Sequence, residues 1–222
     1  YETVRLVKAQ LDPAITLLGF AGSPWTVATY MVAGQGTREQ AEARLLGYSD
    51  PMRMDAILER VAAATVDYLS GQVAAGAEAV QLFDSWAGSL SPAQFERFVI
   101  APNARIVAAF KARHPDTPLI GFPKGAGAKL GAYAREVGAD AIGLDETLDP
   151  VWADRELPAG LPLQGNLDPL ALLAGGDSLA DGVARVLDAL SGRPHIFNLG
   201  HGIGKETPVG HVEQLVELVK GA

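Results

Sequence analysis

A parallel α/β fold is predicted by three features of the sequence: short apolar runs that end in Gly, Pro or polar breaks, helical-period segments between them, and proline-marked helix starts. The runs are Ile15–Phe20, Ala79–Ser85, Leu119–Phe122, Ala141–Asp145, Leu163–Asn166 and Ile196–Gly200. Their length and continuous apolar character predict strands buried on both faces, the pattern of a parallel sheet covered by helices. Met54, Ile57, Leu58, Val61, Tyr68, Leu69 and Val73 recur at three- and four-residue steps, as do Leu179, Val183, Val186, Leu187 and Leu190. Val209, Val212, Leu215, Val216 and Val219 repeat the pattern near the end. Ser91-Pro92, Asp168-Pro169 and Thr207-Pro208 each place a capping side chain before a proline in the first turn.

Spacing selects the kind of α/β fold. Strand ends at Phe20, Ser85, Phe122, Asp145, Asn166 and Gly200 give intervals averaging 36 residues. Six such units fit the chain, whereas a (β/α)8 TIM barrel takes about 250 residues or more. The expectation is therefore one domain over residues 1–222, an α/β barrel lacking its first units. Val4, Leu6, Val7 and Leu11, with charges between them, read as the tail of a helix in a longer product. The alternative is a doubly wound sheet. The barrel is favoured because polar or Gly-rich sequence follows nearly every run, whereas a doubly wound sheet gathers its ligand site at one switch point.

Composition narrows the chemistry. The 222 residues carry a formal charge of −8, are 48% hydrophobic and include no cysteine. Thiol nucleophiles, thiolate metal sites and disulfides are thereby excluded. No block of Lys or Arg offers a footprint for nucleic acid or an anionic membrane. No apolar run reaches the roughly 18 residues of a membrane span, and the expected location is cytoplasmic.

Function in such folds sits beyond the C-terminal ends of the strands, which makes Ser85, Lys124, Asp145, Asn166 and His201 the candidates. His201 lies between two glycines, which leave room for a ligand beside an imidazole that donates or accepts near neutral pH. Its bland alternative is a turn histidine bonded only to backbone. Asp84-Ser85-Trp86 lacks the Gly-x-Ser-x-Gly elbow, so Ser85 reads as a hydrogen-bonding group rather than a nucleophile. Asp145 is either a ligand contact or a loop brace. Asn166 and Asp168 read as caps for the helix at Pro169, His114 and His211 as surface residues, and His195 as the start of a strand. Tyr30 alone reads as core packing. Gly125, Gly127 and Gly131 miss the dinucleotide spacing, and no local metal-ligand spacing occurs.

Gly19-Phe20-Ala21-Gly22-Ser23-Pro24-Trp25-Thr26 followed by Thr29-Tyr30-Met31-Val32 resembles the uroporphyrinogen decarboxylase family. The resemblance continues through Phe83-Asp84-Ser85-Trp86-Ala87-Gly88, Gly143-Leu144-Asp145, Gln164-Gly165-Asn166-Leu167-Asp168-Pro169 and Asn198-Leu199-Gly200-His201-Gly202-Ile203, in the family's order. It implies a (β/α)8 barrel, usually a homodimer, that removes carbon dioxide from the four acetate arms of uroporphyrinogen III to give coproporphyrinogen III in haem biosynthesis, using no cofactor or metal. Tyr30, Ser85 and His201 match the family's substrate-contacting residues, and Phe20 and Phe83 hold apolar positions that line the cleft. The family's aspartate and arginine-rich motif precede the segment at which this chain begins, so the resemblance implies an incomplete site and no assignable catalytic residue here.

Two other readings compete. Corrinoid-dependent methyltransferases look similar in length and pattern, but they activate thiols at zinc through His and Cys. This chain has no cysteine and carries Phe122-Pro123-Lys124 where that His-x-Cys would stand. A non-catalytic binding protein that kept the barrel's shape is the other. Retention of Tyr30, Ser85 and His201 argues against it.

Overall fold

Each of the six expected strands forms, within a residue or a few of its expected bounds. The computed structural model describes residues 1–37 and 39–221, and the chain divides into two units, Tyr1–Asp140 and Ala141–Ala222.

In the first unit α1 (Glu2–Gln10) precedes β1 (Leu18–Gly22), and three helices then fill the long interval before the next strand: α2 (Pro24–Ala33), α3 (Ala41–Ser49) and α4 (Pro51–Ala74). β2 (Ala79–Asp84) leads through a 3-10 turn at Ala87–Ser89 into α5 (Pro92–Phe95), a π-helical stretch at Glu96–Ile100 and α6 (Ala101–Arg113). β3 (Leu119–Pro123) and α7 (Leu130–Glu136) follow. β1 pairs with β2 and β2 with β3, both in parallel, with Gly22 opposite Phe83 and Phe83 opposite Phe122.

Local chemistry accounts for these elements. α4 starts where the Asp50 side chain accepts the Arg53 backbone N–H at 3.1 Å and Pro51 presets the first turn. Met54, Leu58, Thr65, Leu69 and Gln72 then bury one helical face. Ser91 caps α5 by accepting from the Gln94 N–H. The π-helical stretch widens the turn so that Phe98, Val99 and Ile100 are buried in succession. Phe98 stacks on Trp25 of α2 with ring centroids 5.9 Å apart, and both rings are essentially inaccessible.

The second unit contains β4 (Ala141–Gly143), α8 (Pro150–Glu156), β5 (Leu163–Leu167), α9 (Pro169–Ala174), α10 (Gly176–Leu190), β6 (His195–Leu199) and α11 (Val209–Lys220). β4 pairs with β5 and β5 with β6, again in parallel. Leu167, Leu172, Leu179 and Val183 form its buried centre, with Phe197, Val212, Leu215 and Val219 packed around them.

Within each unit the strands pair in chain order, with no reversal of the kind that makes a switch point in a doubly wound sheet. Parallel strands, each followed by helix, in simple sequential order are the (β/α)8 barrel pattern; six of its eight strands occur among the described residues.

Four expectations need correction. β1 and β6 are not buried on both faces: Leu18, Phe20 and Ile196 are exposed, and burial alternates along both strands. Thr207 does not cap the last helix, which begins one residue later than its proline would suggest: Pro208 takes the N-cap position with no side-chain bond. Asn166 caps nothing, because its amide is used elsewhere, whereas Asp168 does cap α9 through the Leu170 N–H at 2.8 Å. His211 is half-buried in α11, with Nδ1 3.0 Å from the Leu172 carbonyl.

Candidate functional site

The strand-end loops of the first unit are tied to one another by backbone. The Ser23 N–H donates to the Phe83 carbonyl at 2.9 Å, the Lys124 N–H to the Asp84 carbonyl at 3.0 Å, and the Gly88 N–H to the Lys124 carbonyl at 2.9 Å. The last bond requires glycine on both sides. A Cβ on Gly88 would lie 2.7 Å from the Gly125 carbonyl oxygen and 2.9 Å from its Cα, and Gly125 itself has φ +70°. Lys129 reinforces the turn by donating Nζ to the carbonyls of Gly88 at 3.3 Å and Leu90 at 2.8 Å.

Beneath these loops lies a buried polar cluster. Thr26 donates its hydroxyl to Asp84 at 2.6 Å and accepts the Trp86 N–H at 3.3 Å. Asn103 donates to the Tyr133 hydroxyl at 3.3 Å. Burial is the largest influence on Asp84 and pushes its carboxyl up to about 7, against the hydrogen bond from Thr26. Burial first, and the Asp84 charge second, raise the Tyr133 hydroxyl above its ordinary range.

Ser85 follows this anchored aspartate and is half-buried. It lines a cavity of about 370 Å³ with Trp86, Lys124, Arg44 and Glu39. Tyr30, on α2 and 45% exposed, packs its ring against Trp86 with centroids 6.4 Å apart. Phe20, Phe83 and Phe122 form a chain of edge-to-face rings across the three strands, at 5.9 and 5.7 Å. Phe20 is 60% exposed. The first unit thus gathers Tyr30, Ser85, Phe20, Phe83 and Lys124 on its strand-end side.

Sequence reasoning missed Arg44. It projects from α3, inside the interval of 65 residues between the first two expected strand ends, and a search restricted to strand ends passes over it. The one available signal was that interval's length, nearly twice the average.

In the second unit His201 is exposed, directly after Gly200, whose N–H donates to the Leu167 carbonyl at 2.8 Å. Glu146 backbone packs against Gly200 so closely that a Cβ there would overlap its N and Cα. Asp145 is buried and braces its own loop, accepting from the Thr147 N–H at 3.0 Å and from the Thr147 hydroxyl. Asn166 donates Nδ2 to the carbonyls of Asp145 at 2.9 Å and Leu148 at 2.7 Å. These two residues therefore form the scaffold of the loop after β4.

Among the described residues no three His, Asp or Glu side chains gather as a metal site would need, and no helix is long and apolar enough to cross a membrane.

Three related proteins bear on this arrangement. The chain is 63% identical over 221 residues to a uroporphyrinogen decarboxylase of Novosphingobium aromaticivorans, covering 100% of this chain and 65% of the relative. It is 65% identical over 221 residues to one of Sphingopyxis alaskensis, with 100% and 65% coverage. A third, from Erythrobacter litoralis, is 64% identical over 220 residues, 99% of this chain and 64% of that one. The chain thus spans about 65% of the length of these relatives. The family's sequence profile, described as uroporphyrinogen decarboxylase (URO-D), matches residues 1–222. With the whole chain matched and its barrel-type strand order in place, the protein belongs to the uroporphyrinogen decarboxylase family.

Proposed function

We infer that this chain supplies part of a carboxy-lyase that converts uroporphyrinogen III to coproporphyrinogen III by removing carbon dioxide from four acetate arms. The observation that supports this most is that the strand ends of the first unit carry both the aromatic run Phe20-Phe83-Phe122 and a cavity lined by Ser85, Lys124 and Arg44. A tetrapyrrole has that same division, with an apolar ring face and an anionic rim.

Decarboxylation of an acetate on a pyrrole leaves an electron pair that needs a sink. Protonating a ring carbon makes the pyrrole that sink: the carbon–carboxyl electrons flow into the ring as carbon dioxide departs. The resulting exocyclic methylene then takes a proton to become methyl, and the ring gives its added proton back. Positioning and charge stabilisation are what remain for the protein to provide. In this reading Ser85 donates to a substrate carboxylate, Tyr30 orients the substrate with its ring held by Trp86, and His201 bonds an arm of the macrocycle. Phe20 and Phe83 line the cleft. The chemistry calls on no cofactor, and the resemblance adds a single barrel domain, a homodimer and a cytoplasmic setting.

The test is anaerobic incubation of the full-length protein with uroporphyrinogen III, followed by oxidation and separation of porphyrins by carboxylate number. Stepwise passage from eight carboxylates to four is expected. Unchanged substrate overturns the reading.

A further inference from the structure

We propose that Arg44 and Lys124, together with Ser85, form a subsite that grips one carboxylate arm of the tetrapyrrole. This deepens the decarboxylase reading and rests on it. Ser85 is the residue that the family resemblance brings to the substrate, and Lys124 is a strand-end candidate of the sequence; Arg44 beside them is what the structure adds.

Arg44 lines the same cavity of about 370 Å³ as Ser85 and Lys124. Among the described residues its Nε is buried without a hydrogen-bond partner, and Nη1 donates to the Glu39 backbone carbonyl at 3.3 Å. A guanidinium offers five N–H donors in a planar fork, and a buried donor left unsatisfied is costly. A carboxylate taken side-on by Nε and a terminal nitrogen would satisfy that donor with the geometry arginine favours.

Both cations stand on fixed backbone. Gln94 donates to the Arg44 carbonyl at 3.3 Å, which ties α3 to α5. The Lys124 peptide is held on both sides by the bonds to Asp84 and Gly88. The backbone from which each cation projects is therefore already ordered, so less entropy is lost on binding.

Charge points the same way. In a chain of net charge −8, Arg44, Lys124 and one carboxylate, Glu39, line this cavity among the described residues. A positive locus on an acidic protein selects an anion and repels little of it. The cavity's size suits one arm with its carboxylate rather than a whole macrocycle.

The experiment uses the full-length protein and uroporphyrin as the probe, followed by fluorescence quenching at low and high salt. Arg44→Gln and Lys124→Gln should each weaken binding about tenfold, with a shallower salt dependence than wild type. Arg44→Lys should recover part of the loss. In turnover, the Gln variants should raise KM while kcat stays within about twofold. Glu39→Gln should tighten binding, a gain that misfolding cannot mimic. Wild-type affinity in Arg44→Gln, or no gain in Glu39→Gln, overturns the subsite while the wild-type protein's turnover leaves the decarboxylase reading standing. A wild-type protein that neither binds uroporphyrin nor decarboxylates uroporphyrinogen overturns both.

Discussion

Thr26 gives its hydroxyl hydrogen to Asp84 at 2.6 Å while taking the Trp86 N–H on the same oxygen at 3.3 Å. One side chain on α2 therefore holds both residues that flank Ser85. The cost is a carboxyl sealed from water, with Oδ2 unpartnered.

That burial sets a pH dependence. Asp84 is pushed up to about 7 in the folded chain, whereas an unfolded aspartate ionises near 3.9. Between about pH 4 and pH 7 the unfolded chain releases a proton that the folded chain keeps. Its contribution to stability is therefore full below about pH 4 and is lost as pH rises toward 7. Tyr133 stays neutral across this window and adds nothing to the slope. Urea midpoints measured from pH 5 to pH 8 should fall in wild type and fall less in Asp84→Asn. Parallel slopes in the two proteins would show that Asp84 titrates normally.

Gln72 plays the part of a neighbouring strand. From α4 its Oε1 accepts the Phe20 N–H at 3.0 Å and its Nε2 donates to the Phe20 carbonyl at 2.9 Å. The amide thus satisfies the side of β1 that does not face β2. Gln72→Leu keeps the volume and removes both partners, which should cost about 1–3 kcal/mol. Chemical denaturation measures the loss. Hydrogen exchange should locate it at the Phe20 amide, and unaltered protection there would count against the strand-mimic role.

The Gly88 and Gly125 backbones touch where most residues would collide. Gly88→Ala places a methyl 2.7 Å from the Gly125 oxygen, and backbone cannot yield as a flexible side chain would. Destabilisation of about 1–3 kcal/mol is expected, together with displacement of Lys124. Gly127→Ala is a useful contrast, because its built Cβ meets nothing within 4 Å and only its φ of +53° opposes the change. If both variants unfold at the same midpoint, close packing is not what Gly88 provides.

The residues that were legible in the sequence are those whose signal is local. Asp168-Pro169 and Ser91-Pro92 cap their helices because capping acts within three residues. The six strands were visible because an apolar run followed by a break is a short pattern. Asn166 looked like another cap, yet its amide bridges two carbonyls about twenty residues earlier in the chain. Gln72, Arg44 and Asp84 were missed for the same reason. A glutamine in a helical stripe, an arginine between strands and an aspartate before a serine acquire meaning only from what folds against them. Tyr30 is the intermediate case: its role came from the surrounding motif, and its contact with Trp86 emerges only in the fold.

His201 offers the clearest functional test in the second unit. Gly200 packs against the Glu146 backbone, which fixes the turn, and His201, an exposed residue, follows at once. The role proposed for His201 is contact with the substrate, so its replacement should be felt in turnover. His201→Asn in the full-length protein should lower kcat/KM for uroporphyrinogen by about tenfold or more, with an unfolding midpoint within error of wild type. Gly200→Ala should do the reverse, lowering the midpoint because a methyl has no space beside Glu146. An unchanged kcat/KM in His201→Asn would remove the histidine from the list of substrate contacts, and a lowered midpoint in that variant would reassign it to the turn.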